Sequence, residues 1–125
     1  MKCAPTPFLL HFTTRQNWIK IQKEGLVPQK NNAPEDHLPD RVIWLGREPV
    51  EAYVNKDQHP IVIALPINHE KFGLQETIHN AEYVADKYIL PKEFLGVFDF
   101  TQYNDEHKQQ TEFANWLEKM TRHTK

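Results

Sequence analysis

A single cysteine, Cys3, stands in a chain of 125 residues, so no disulfide can form within it and no cysteine-based zinc site can be assembled. The seven histidines, at positions 11, 37, 59, 69, 79, 107 and 123, form no i, i+4 pair or other ligand spacing, and no metal is expected. A basic excess is missing too. Fifteen Lys and Arg face 17 Asp and Glu, a net charge of −2, which disfavours a domain that grips long nucleic acid through its phosphates. No apolar run approaches the roughly 18 residues of a membrane span. The first residues lack the long apolar segment and cleavage site of a signal peptide. The expectation is a soluble, cytoplasmic protein without membrane partners. Repeats, low-complexity tracts and linkers are also lacking, and residues 1–125 read as one domain with enough chain to bury a core.

What is present is a sheet pattern framed by two helical ones. Phe8 to Thr13 is an apolar run suited to a buried strand, and His11 and Thr13, two apart, share one face of it. Thr14 can cap a helix whose Trp18 and Ile21 fall together, and Gly25 can stop it. From Val27 to Asp40 the composition turns to Pro, Asn, Gln and charge, a long loop of the kind that often binds or covers a ligand. Arg41 to Gly46 reads as strand, Glu48 to Asn55 as a short helix with Pro49 in its first turn, and Ile61 to Leu65 as a central strand. The stretch His69 to Asn80 fits a short helix or an irregular excursion. Glu82 to Tyr88 reads as strand, Pro91 to Phe94 as a turn, and Leu95 to Phe100 as strand. Phe113, Trp116, Leu117 and Met120 then mark one face of a helix beginning near Asp105, with Arg122 to Lys125 frayed. The fold class expected is α+β, a mixed, mainly antiparallel sheet with flanking helices.

Three segments, in order, carry a resemblance. His11-Phe12-Thr13-Thr14-Arg15, followed by Asn17-Trp18, Ile21 and Gly25-Leu26, resembles the first motif of ADP-ribosyltransferases of the diphtheria-toxin and poly(ADP-ribose)-polymerase (His-Tyr-Glu) type. There a His-Gly-Ser/Thr triplet ends a strand and leads into a helix closing on Gly-Leu. Val42-Ile43-Trp44-Leu45-Gly46 looks like the family's aromatic strand, with Trp44 at the Tyr position and Tyr53, nine residues on, as a second aromatic. Ala81-Glu82-Tyr83-Val84 resembles the segment bearing the catalytic glutamate. Phe12 replaces the family's Gly, which gives the backbone less free approach to a ligand.

The resemblance implies a compact ADP-ribosyltransferase-like domain that uses NAD as substrate and no metal. It cleaves the nicotinamide–ribose bond and transfers ADP-ribose to an acceptor that the resemblance leaves unidentified; the compact length leads one to expect single additions, and the near-neutral charge a protein more readily than nucleic acid, or a small molecule. Glu82 and His11 are the implied catalytic residues. The Glu82 carboxylate would stabilise a ribose with oxocarbenium character and orient the acceptor, as carboxylates do in glycoside hydrolysis. His11 would bond the adenosine ribose, while Thr13 and the Phe12 backbone hold the nicotinamide amide. Trp44 and Tyr53 would line the pocket, and Arg41, beside a charged loop with Glu35, Asp36, His37 and Asp40, would lie near a phosphate. A toxin-like NAD hydrolase needs the same residues. Two other readings stand beside this one: a module that binds NAD or ADP-ribose without turnover, and an RNA 2′-phosphotransferase-like enzyme, which would require more cations than Arg15, Arg41, Arg47 and Arg122.

Overall fold

Alternating apolar residues along the strands leave both faces of one sheet in need of cover, and among the described residues four helices supply it. The computed structural model describes residues 5–32, 37–79 and 81–124. In chain order its elements are β1 (Leu9–Thr13), α1 (Arg15–Glu24), β2 (Gln29–Lys30), β3 (Arg41–Gly46), α2 (Pro49–Val54), β4 (Ile61–Leu65), α3 (His69–Phe72), β5 (Leu74–Glu76), β6 (Glu82–Ala85), β7 (Gly96–Asp99) and α4 (Glu106–His123). Single 3₁₀ turns occupy Pro91–Glu93 and Phe100–Gln102. The strand order is β5-β6-β3-β1-β4-β7, with β2 attached to the start of β3, and these pairings are antiparallel. The fold is α+β with a mainly antiparallel sheet and flanking helices, as the sequence leads one to expect.

One face of the sheet presents Leu9, Ile43, Leu45, Ile61, Ile63 and Leu65, which pack with Ile21 of α1, Leu26, Phe72 and Ile89. The other presents Leu10, Val62, Ala64 and Phe98, covered by Phe113 and Met120 of α4 and Ala52 of α2. Covered on both sides, β4 has all five residues buried, which is why its sequence is apolar without alternation.

Helix α1 begins and ends where its sequence says. The Thr14 hydroxyl accepts a bond from the Asn17 N–H at 3.1 Å, one of the first-turn donors that a helix cannot satisfy itself. Gly25 closes the helix at φ 82°, its N–H donating to the Ile21 carbonyl at 2.8 Å. Leu26 and Ile89 then exchange backbone bonds of 2.8 and 3.0 Å, locking the exit of α1 to the chain that follows β6.

Four expectations are refined. The loop from Val27 to Asp40 contains β2, and Leu38 is buried against Val42 and Val84, so its second half is anchored by apolar contact. Its charged residues Glu35 and Asp36 lie outside the described residues. The stretch from His69 resolves into α3, a left-handed Gly73 at φ 62° and β5. Strand β6 ends at Ala85 rather than Tyr88, because Asp86 and Tyr88 face solvent and only Ile89 returns to the core. Helix α4 continues through Arg122 to His123, past the expected point of fraying. No helix among the described residues is long and apolar enough to cross a membrane.

Gly25 is a point where both backbone and space demand glycine, since a Cβ there would run into the Ile89 carbonyl. Gly25→Ala is expected to lower stability by about 1–3 kcal/mol, measured by chemical denaturation, as a left-handed residue and its displaced neighbour are strained together.

Candidate functional site

Strand β1 pairs with β4 over five residues and β3 pairs with β6 over four, yet β1 and β3 meet only at Leu10↔Gly46. The sheet is split along that seam. Past the single bridge the Nδ1 of His11 lies 2.9 Å from the Trp44 carbonyl, so a side chain bonds across the gap where the ladder has stopped. A carbonyl only accepts, so Nδ1 carries the proton. Burial lowers the His11 pKa below its ordinary 6.5; the bond to Trp44 opposes this, and the charge of His59 adds to it. The neutral ring therefore offers Nε2 as a bare acceptor at pH 7.

Two clefts open at the seam. The first, about 640 Å³, is lined by His11 and Thr13 of β1, Asn17, Lys20 and Glu24 of α1, and the start of β3. Thr13 is only 3% exposed, and its hydroxyl makes no hydrogen bond among the described residues. No fully enclosed side-chain nitrogen or oxygen lacks a partner among those residues, so this hydroxyl opens onto the cleft rather than into the core.

The second cleft, about 600 Å³, holds Glu82 with Arg47, Glu48, Glu51, Asn55 and His79. Glu82 opens β6 opposite Gly46, and its Oε1 accepts the Thr77 hydroxyl at 2.7 Å. Its other oxygen has no hydrogen-bond partner among the described residues. The residue before it, Ala81, has φ 60°, a left-handed conformation that an alanine adopts only when its surroundings impose it. The Arg47 N–H holds the Ala81 carbonyl at 3.0 Å, while the Arg47 Nε and carbonyl grip Thr6 at 2.6 and 2.7 Å.

Phe12 and Trp44 line both clefts and form the wall between them. Trp44 keeps 36% of its surface exposed, unusual for an aromatic in the middle of a sheet strand. Of the residues singled out from the sequence, His11, Phe12, Thr13 and Trp44 thus meet in the first cleft, and Phe12, Trp44 and Glu82 in the second. His11 and Glu82 stand on opposite sides of the wall.

Tyr53 and Arg41 line neither cleft. Tyr53 is half-buried on α2 and packs against the edge of the core, edge-on to Phe100 at 6.1 Å and with the Lys56 ammonium 5.4 Å from its ring centre. Arg41 is exposed at the start of β3, paired in register with Lys30. Sequence reasoning missed Asn17, Lys20 and Glu24 on α1, and Glu48, Glu51 and Asn55 around α2. Both sets have the spacing i, i+3, i+7, the polar counterpart of the apolar stripe. That periodicity was the available signal.

Comparison with protein-family models gives no match, and comparison with curated proteins gives none.

Because the folded chain holds His11 with a lowered pKa, its contribution to stability is complete above pH 6.5 and is lost as pH falls below 6.5 through the folded value. Denaturation curves for wild type and His11→Asn, whose amide can keep a bond to the Trp44 carbonyl, are expected to diverge as the pH is lowered from 6.5, wild type losing more.

Proposed function

We propose that this chain is an NAD-dependent ADP-ribosyltransferase that cleaves the nicotinamide–ribose bond and passes ADP-ribose to an acceptor. The observation that carries the reading is the placement of Glu82: a carboxylate fixed on one oxygen by Thr77 and free on the other, in a cleft separated from the His11 and Thr13 cleft only by Phe12 and Trp44. The three segments that carry the family resemblance thus line adjoining clefts.

In this reading the nicotinamide lies at the Phe12–Trp44 wall, its amide bonded by the Thr13 hydroxyl and the Phe12 backbone, its ring against Trp44. The free oxygen of Glu82 accepts a hydrogen bond from the 2′-hydroxyl of the nicotinamide ribose. Nε2 of His11 accepts one from the adenosine ribose, a bond that requires the neutral ring. As the C1′–N bond breaks, its electron pair goes to the ring nitrogen and nicotinamide leaves neutral, while positive charge grows on the ribose. Glu82, with Glu48 and Glu51 in the same cleft, supplies fixed negative charge where that charge develops, stabilising the transition state more than the ground state. The acceptor nucleophile then bonds C1′ and gives up its proton, for which Glu82 is the candidate base.

Purified protein incubated with NAD, alone and with cell lysate, should release nicotinamide detectable by chromatography. Glu82→Gln is expected to cut the rate roughly a hundredfold or more while NAD still binds. Tyr53→Phe, outside both clefts, should leave rate and NAD affinity unchanged. If wild type and Glu82→Gln bind NAD alike and neither releases nicotinamide, the transferase reading is lost to that of a binding module.

A further inference from the structure

We propose that Lys20 holds the diphosphate of the dinucleotide, an assignment that rests on the transferase reading above. The two phosphates between the nucleosides are anionic, and a partly desolvated anion needs a cation or N–H donors facing it. Among the described residues lining the two clefts, the cations are Lys20 and Arg47. Arg41, the candidate suggested by sequence, reaches neither.

Arg47 is already committed to the protein. Its Nε donates to the Thr6 carbonyl, its backbone N–H holds Ala81, and its own carbonyl accepts from Thr6. It also shares its cleft with Glu48, Glu51 and Glu82, so a diphosphate there would meet three carboxylates for one guanidinium. Lys20 is the opposite case. It is exposed and makes no ion pair or side-chain hydrogen bond among the described residues. The carboxylate in its own cleft, Glu24, lies one turn further along α1 and is not paired with it.

What faces Lys20 across this cleft is polar and open to a ligand. Among the described residues the Thr13 hydroxyl, nearly buried, has no partner and the His11 Nε2 is unbonded, and Asn17 lies one turn before Lys20 on the same side of α1. The four-carbon stem of a lysine lets its ammonium reach over such a space and meet either phosphate as a point charge. The two clefts then match the two ends of NAD. The nicotinamide ribose, where positive charge grows, turns toward the carboxylates around Glu82, and the anionic diphosphate toward Lys20. That division fixes the direction in which the dinucleotide lies across the Phe12–Trp44 wall.

Titration calorimetry with ADP-ribose and with adenosine tests this on wild type, Lys20→Gln, Lys20→Arg and Lys23→Gln, the last an exposed lysine of α1 that lines neither cleft. Lys20→Gln should weaken ADP-ribose about tenfold, flatten its salt dependence and leave adenosine unchanged; Lys20→Arg should restore most of the loss, and Lys23→Gln should do nothing. An ADP-ribose affinity unmoved by Lys20→Gln overturns the assignment, as does an equal loss of adenosine. If nicotinamide release nonetheless depends on Glu82, the transferase reading survives that result. A wild type that binds no ADP-ribose and releases no nicotinamide removes both.

Discussion

One interrupted strand pairing organises this molecule. Had β1 and β3 continued their ladder beyond Leu10 and Gly46, the sheet would be closed and there would be no seam for either cleft to open on. The His11–Trp44 bond keeps the interruption from being costly. The imidazole pairs with a carbonyl that has lost its strand partner, while desolvation keeps the ring neutral. The same bond sets the tautomer and so makes Nε2 an acceptor. A local solution to a hydrogen-bonding problem thus decides what one wall of the first cleft can recognise.

The rest of the site depends on this seam from both sides. On the β1 side, five rungs to the wholly buried β4 hold His11 and Thr13 rigid. On the β3 side, four rungs to β6 bring Glu82 opposite Gly46, whose missing side chain leaves the space above the strand open. The left-handed Ala81 is tolerated because Arg47 grips its carbonyl, and Arg47 is in turn fastened to Thr6. Strain next to Glu82 is therefore supported by a chain of bonds that begins near the amino terminus. Charge follows the same division: three carboxylates gather on the Glu82 side, while a lysine balances a glutamate on the other.

Much of the fold was legible because its signals are local. The Thr14 cap, the Gly25 stop, Pro49 in the first turn of α2, the all-apolar run of β4 and the helical stripe from Phe113 to Met120 each involve a few neighbouring residues, and each is found where expected. The departures have equally definite causes. Tyr53 follows Trp44 closely along the chain, but the phase of α2 turns it against Phe100 and away from both clefts. The strand from Glu82 stops at Ala85 because its apolar pattern continues past the last residues that have a partner strand. Leu38 anchors a loop whose composition is otherwise polar.

The sequence by itself determined the α+β class, the extent of most elements and the presence of His11, Thr13, Trp44 and Glu82 at or beside strand positions. These follow from caps, turns and periodicities that act over one or two turns of chain. The tertiary structure alone decided that these residues lie in two clefts rather than one, that Phe12 and Trp44 divide them, and that Lys20 and Arg47, not Arg41, bring positive charge to them. Where a ladder stops depends on contacts between strands far apart in the chain, such as Leu10↔Gly46 and Ile43↔Ala85, and no local pattern encodes the point at which two strands cease to pair.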